Sequence, residues 1–185
     1  RGHCERGGGG GDGGKARASA MALALSCDVV VSVVVNAAQT EDVLFGSGGV
    51  AAAMRPGSVF VMCSTVDPNG SAALESRLAE RGLLYLDAPI SGGAAKAASG
   101  QMTMMTSGRP EAYARCGGVL DAMAAKVYRL GDRAGAGSKV KIINQLLAGV
   151  HIAAAAEAMA LGLREGVDAA ALYEVITHSA GNSWM

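Results

Sequence analysis

Neither sign of charge predominates in this chain: sixteen Lys and Arg stand against sixteen Asp and Glu in 185 residues, giving no net charge. With no basic surplus and no run of Lys or Arg interleaved with aromatics, the electrostatic footprint of a nucleic-acid binder is missing, so nucleic acid is not an expected partner. Cysteine is sparse as well. Cys4, Cys27, Cys63 and Cys116 form no C-x-x-C pair and have no histidine at ligand spacing. That pattern excludes a disulfide framework and a metal site, and it points to free thiols in a reducing compartment. Nor is there an unbroken apolar run. The longest, "LLAGVHIAAAAEAMALG", is interrupted by His151 and Glu157 and owes much of its hydrophobicity to alanine. It reads as a buried helix, with no membrane as partner. The stretch after Arg1 lacks both the h-region of a secretory signal and the pattern of an organelle address, so the expected compartment is the cytoplasm.

What is present is apolar and layered. Half the residues are hydrophobic, enough to bury a core as one domain or as one domain and part of another. Residues 1–15 are a low-complexity glycine-rich segment. Within it Gly8, Gly10 and Gly13 satisfy G-x-G-x-x-G, but that motif cradles a pyrophosphate only when a hydrophobic strand leads into it and a helix leaves it. "RGHCER" is no strand, so the glycines read as a flexible segment. The start at Arg1 and the end at "AGNSWM", with no helix terminator, give the expectation that both ends are cut.

From residue 16 the pattern becomes regular. "DVVVSVVV" (28–35) has no polar alternation and reads as a strand buried on both faces. "SVFVMC" (58–63) reads as a second strand and "LLYLDAP" (83–89) as a third, with a helix between them that Asp67 caps and Pro68 begins. "AAKAAS" then predicts a short helix, "MTMMTS" a strand, "PEAYARCGGVLDAMA" a helix and "KVYRL" a last strand. Strands alternating with helices predict an α/β fold with a mainly parallel sheet. The proline-free stretch from Gly137 to Arg164 predicts a helix too long to belong to that sheet, with Gly166 as its stop and "DAAALYEVITHSAG" as the next helix. The expected domains are 16–135 for the α/β part and 136–185 for the start of an all-α part.

Two stretches carry chemistry. In "LDAPISGGAAKAASG", Asp87, Pro89, Ser91, Gly92 and Gly93 together fix the backbone and bare its N–H groups beyond what a connection needs, which suits a small anion. The loop follows the carboxyl end of a strand, as "CSTVDP" does, and ligands of parallel sheets bind at those ends. In "GAGSKVKIINQLLAGV", Lys141 shares a helix face with Asn144 and Gln145 among apolar neighbours. Lys141 is either a buried acid/base with its ammonium form disfavoured, or a lysine that carries its charge out to water and does nothing; spacing leaves both open.

"STVDP", "LDAPISGGAAKAASGQMTMMTSG" and "GAGSKVKIINQ", in this order and at these separations, resemble the β-hydroxyacid dehydrogenase family, to which 3-hydroxyisobutyrate dehydrogenase belongs. The resemblance runs from about Ala16 to Met185. It implies a partial Rossmann-like NAD(P)-binding domain followed by the start of a helical substrate and dimerisation domain. It implies NAD or NADP as cofactor, a small hydroxy acid as substrate and a homo-oligomer when full length. By position, Lys141 matches the catalytic lysine, and Ser91, Gly92 and Gly93 match the residues that hold the substrate carboxylate. Thr65, Val34 and Val35 match positions that contact the dinucleotide. Many members have asparagine four residues after the lysine, where this chain has Gln145, with Asn144 one place earlier; either amide could orient the substrate. "VVVNAAQTEDVLFG" and "THSAGNSWM" resemble the branch that oxidises L-threonate to its 2-keto acid. In "THSAGNSWM", His178 is either a hydrogen-bonded helix-end residue or a substrate contact. The same likeness leaves room for a tartronate semialdehyde or 3-hydroxyisobutyrate type of enzyme, or for a non-catalytic fragment or oligomerisation module. Members open with a strand and a G-x-G-x-x-G turn that this sequence does not match, and they continue with further helices, so the resemblance implies a fragment.

Overall fold

The computed structural model describes residues 15–183. The proposed flexibility of the glycines at 8, 10 and 13, and Cys4, lie outside them. The described chain divides into two compact units, one ending at Lys141 and the other beginning at Ile142.

In the first unit, helix α1 (Ala20–Ala24) leads into strand β1 (Val29–Ser32), helix α2 (Ala37–Phe45), strand β2 (Val59–Met62), helix α3 (Pro68–Ala79) and strand β3 (Leu84–Asp87). Strands β1, β2 and β3 form a parallel sheet in that order, in a register that aligns Ser32, Met62 and Asp87 at the carboxyl edge. A two-residue strand β4 (Ile90–Ser91), helix α4 (Gly93–Ala98), strand β5 (Thr103–Thr106), helix α5 (Pro110–Met123) and strand β6 (Lys126–Arg129) follow. They build a second three-stranded sheet in which β4 runs antiparallel to β5 and β6 parallel to it. The α/β class expected from the sequence is therefore what forms, but the strands divide between two sheets and one pairing is antiparallel. The reason is local: Pro89, which cannot donate a ladder hydrogen bond, stands between β3 and β4 and ends the first strand short of the expected residue 89.

The period-2 geometry of a strand explains the two cores. Phe60 and Met62 of β2 face one way, with Val30, Leu44, Leu74, Leu78 and Tyr85, while Val59 and Val61 face the other, with Leu86, Met104, Cys116 and Leu120. Each fully buried large apolar side chain contributes about 1.5–3 kcal/mol relative to exposure. The hydroxyl of fully buried Tyr85 is met by Ser71 Oγ at 3.0 Å. Central β2 is buried at all four positions, but β1 alternates between half-buried and buried. The expectation that residues 28–35 are a strand buried on both faces is thus corrected. Among the described residues β1 lies at the sheet's edge, and it ends at Ser32. Cys27, Cys63 and Cys116 are free thiols; burial pushes Cys63 up to about 12 and Cys116 to about 11, so both stay protonated and unreactive at neutral pH.

Helix α6 (Ala136–Arg164) starts in the first unit and continues into the second, where helix α7 (Ala169–Thr177) follows. Asp168 caps α7 through the N–H of Ala171 at 3.0 Å. The stop after Arg164 falls where Gly166 was expected to set it, with the Val167 N–H returning to the Gly162 carbonyl at 2.9 Å. By length and composition alone, α6 would suffice to cross a membrane. It is not the buried helix the sequence suggested. Past Lys141 only Ala148 is buried, and Leu146, Leu147, Val150 and Ile152 are exposed, because short α7 is the other helix described in this unit and covers little of it.

Candidate active site

Val34, Val35, Thr65 and the glycine loop each lie just past a strand end of the first unit. Val34 and Val35 lie beyond the end of β1 rather than at its last residues: the strand stops at Ser32, and Asn36 turns the chain into α2 by accepting a hydrogen bond from Gln39 N–H at 3.0 Å. Gln39 Oε1 reaches back to the Val35 N–H at 2.8 Å, which pins this turn from both sides. Val35 is left 79% exposed. Thr65 follows β2 in the same position relative to its strand and is also exposed. The two turns are joined beneath, where buried Thr40 places its hydroxyl 3.0 Å from the Asn36 carbonyl and 3.2 Å from Ser64 Oγ.

Beyond β3 the glycine loop takes the form its composition requires. Ser91 is half-buried in β4, and Gly92 (φ 139°) and Gly93 (φ 67°) open α4 in backbone conformations closed to most side chains. A Cβ at Gly92 would also stand 2.8 Å from the Lys96 Cβ.

The decisive contact is made by Asp87, the last residue of β3. Its backbone pairs with Ser107 in both directions, at 3.0 and 2.8 Å, linking the first sheet to the second. Its side chain is fully buried and turns away from the loop, toward the start of α6. There Oδ2 accepts from Gly135 N–H at 2.9 Å, Ser138 N–H at 2.8 Å and the Ser107 hydroxyl at 3.2 Å, and Oδ1 accepts from the Ser138 hydroxyl at 2.6 Å. Ser107 Oγ in turn accepts from Gly137 N–H at 2.9 Å. Helix starts leave their first N–H groups without intrahelical partners, and here two strand ends supply the acceptors. The approach is close enough that a Cβ on Gly137 would lie 2.3 Å from the Met105 carbonyl oxygen.

Lys141 follows Ser138 by one helical turn and is 7% exposed. The open question of the sequence is resolved as to place: this lysine is buried rather than carried out to water, and burial lowers the pKa of its amine. Asn144 and Gln145 lie one turn further along α6, in the second unit, and both are exposed. In that unit His178 ends α7, its Nδ1 2.8 Å from the Glu174 carbonyl, and Asn182 donates to the Thr177 carbonyl at 2.9 Å, so the histidine is engaged as a helix-end residue. The residues that sequence reasoning missed are Ser107, Ser138 and Gly137, along with the inward role of Asp87. The available signal was a lone acid closing an apolar strand.

Two family profiles cover nearly the whole chain. One, described as the NAD binding domain of 6-phosphogluconate dehydrogenase, matches residues 8–131; the other, described as the NAD-binding of NADP-dependent 3-hydroxyisobutyrate dehydrogenase, matches 135–185. The chain belongs to the 3-hydroxyisobutyrate dehydrogenase-like family. Within it, the chain is 72% identical over 159 residues to an L-threonate dehydrogenase of Cupriavidus necator, covering 86% of this chain and 54% of that one. It is 54% identical to the L-threonate dehydrogenase of Pectobacterium atrosepticum over 158 residues, 85% of this chain and 52% of that one. The crystal structure of a 3-hydroxyisobutyrate dehydrogenase from Salmonella typhimurium superposes with a TM-score of 0.87 at 54% identity, covering 91% of this chain and 58% of that one. The chain thus spans about half the length of the curated relatives it matches. Family membership gives the parallel sheet its name, a Rossmann-like sheet.

Proposed function

We propose that this chain supplies the substrate loop and the proton-transfer lysine of an NAD(P)-dependent dehydrogenase that oxidises L-threonate at its C2 hydroxyl to the 2-keto acid. The observation that carries this reading is Lys141: a buried amine of lowered pKa, on a helix seated by hydrogen bonds on the carboxyl ends of β3 and β5. Such a helix start at such an edge is where an α/β sheet handles ligands. Kinship with the two L-threonate dehydrogenases supports the choice of substrate.

The edge also suits a nicotinamide cofactor. Exposed Val35 and Thr65 offer an apolar patch and a hydroxyl beyond adjacent parallel strands, a surface that fits a flat, weakly polar ring carrying an amide. A nicotinamide held there would supply the acceptor for the hydride that leaves C2; NAD and NADP both fit this description. Val34 completes that surface. On the substrate side, Ser91 and the backbone N–H groups of Gly92 and Gly93 hold the carboxylate. In oxidation the neutral Nζ of Lys141 accepts the hydroxyl proton as the C2–O bond gains double-bond character and C2 gives up its hydrogen with both electrons; in reduction the ammonium returns the proton. An amine at an ordinary lysine pKa is almost wholly protonated near neutrality, so the lowered pKa increases the fraction able to act as base. Asn144 or Gln145 orients a further substrate hydroxyl. Residues 16–135 serve the dinucleotide and 136–185 begin the helical substrate domain, in an enzyme we take to be a cytoplasmic homo-oligomer.

The test uses a chimera in which the 159 aligned residues of this chain replace their counterpart in the Cupriavidus necator enzyme. It is offered L-threonate, D-glycerate, tartronate semialdehyde and 3-hydroxyisobutyrate with each cofactor, and absorbance of the reduced nicotinamide is followed. L-threonate is expected to give the highest kcat/KM; preference for another of the four would overturn the substrate assignment. In the same chimera Ser91→Ala is expected to raise KM by the equivalent of about 1.5–3 kcal/mol, the worth of one hydrogen bond to a charged group, with kcat changed less. An unchanged KM would make the loop a turn and nothing more.

A further inference from the structure

We infer that Asp87, through Ser138, is the positioning residue that holds Lys141 in its buried place, a role that rests on the proposed function of that lysine. Lys141 lies one turn beyond Ser138 on α6, and the start of that helix is tied to the sheet by one carboxylate and its neighbour. Asp87 binds Gly135 N–H, Ser138 N–H and the Ser138 hydroxyl, and Ser107, itself hydrogen-bonded to Asp87, binds Gly137 N–H. Ser138 and Lys141 are three residues apart and share a helix face, about 4.5 Å apart along the axis. A carboxylate at the helix start also matches the positive end of the helix dipole. The seat is stiff on the sheet side because Asp87 and Ser107 are paired to each other through their backbones. Small displacements of a catalytic group are costly to turnover, so a fixed seat has a functional meaning beyond capping.

This network can act on Lys141 in two distinguishable ways, through its geometry or through its charge. The other titratable groups around Asp87 are Glu75 of α3, which meets Ala134 N–H at 3.4 Å, Tyr85 of β3 and Tyr113 of α5. They are unchanged in the variants below. Asp87→Ala removes both carboxylate acceptors at once and leaves only Ser107 Oγ to meet Gly137 N–H. Asp87→Asn removes the charge but can turn its oxygen toward the Oδ2 donors, and the Ser138 hydroxyl can rotate to accept from the new amide N–H.

The experiment is competitive acetylation of the 185-residue chain with trace acetic anhydride across pH, read by peptide mass spectrometry. Exposed Lys139, two residues earlier on α6, is the internal reference. In the wild type Lys141 should titrate below the ordinary lysine value. In Asp87→Ala its titration should move up toward the ordinary lysine value of about 10.4, as the loosened helix lets the amine reach water. In Ser138→Ala, which keeps the backbone bonds and guards against failure of the alanine variant to fold, the move should be in the same direction and smaller. In Asp87→Asn the wild-type position should be largely retained. If Lys141 stays put in Ser138→Ala and in a folded Asp87→Ala, the inference is overturned. It is equally overturned if Asp87→Asn and Asp87→Ala both lower the titration further, because that is the signature of lost charge. Since no substrate or cofactor is present, failure of the functional proposal leaves this result readable, and an unmoved Lys141 leaves that proposal standing.

Discussion

Replacing Lys141 by alanine is expected to lower kcat for L-threonate oxidation in the chimera by about a hundredfold or more, with substrate binding changed less. General acid/base catalysis contributes roughly 10²–10⁴-fold, and alanine leaves no group at that place on α6 to take the hydroxyl proton. Because the loss is one of transition-state stabilisation, kcat and kcat/KM should fall together while KM holds. Lys141→Arg should be nearly as damaging. Arginine keeps the positive charge and much of the length, but guanidinium does not release its proton in proteins and so cannot act as a base. Steady-state kinetics on the two variants separate this account from an electrostatic one, in which arginine would restore activity.

The second large effect is expected from Gly137→Ala. The new Cβ would lie 2.3 Å from the Met105 carbonyl oxygen and 3.2 Å from the Asp87 carbonyl oxygen and Oδ2. Two of those atoms belong to strand backbone, so relief must come from α6 moving outward, which stretches the hydrogen bonds to Asp87 and Ser107. Overpacking costs about 1–3 kcal/mol, occasionally more. Adding the weakened bonds puts the total near the top of that range, a drop of roughly 6–12 °C in Tm for a chain of this size. Gly149→Ala on the same helix is the control. Nothing stands within 4 Å of its Cβ position, so the substitution should stabilise by up to about 1 kcal/mol through helix propensity. Thermal unfolding of both variants checks the pair; equal effects would mean that α6 is not seated as described.

Much of the fold could be read from the sequence because short-range signals and burial agreed. "SVFVMC" formed the central strand, and Asp67 and Pro68 opened α3 with the Asp67 carboxylate 2.9 Å from Gly70 N–H. Where longer-range pairing decides, the reading fell short. The run of valines from 29 to 35 looked like one strand, yet only as much of it is strand as β2 pairs with. Helix α2 went unread, although Asn36 and Gln39 stand at the spacing of a capping box. The antiparallel β4 contains two residues, too few for any periodicity. At the site, residue types pointed to Ser91, Gly92, Gly93 and Lys141. The partnership of Asp87 with Ser107 and Ser138 joins positions 20 and 51 residues apart, and no local pattern carries that information. The same limit applies to Val34 and Val35, whose place beyond a strand end followed from pairing rather than from their own hydrophobicity.

The most direct test of the account is the pH dependence of kcat/KM for L-threonate oxidation by the chimera. The base must be neutral to accept the hydroxyl proton, so the rate should be full above the pKa of Lys141 and fall about tenfold per pH unit below it. Because burial lowers that pKa, the break should come below the ordinary lysine value of about 10.4, and Lys141→Ala should abolish it along with most of the activity. A rate that is flat across this range, or a break that survives in Lys141→Ala, would contradict the assignment of Lys141 as the base.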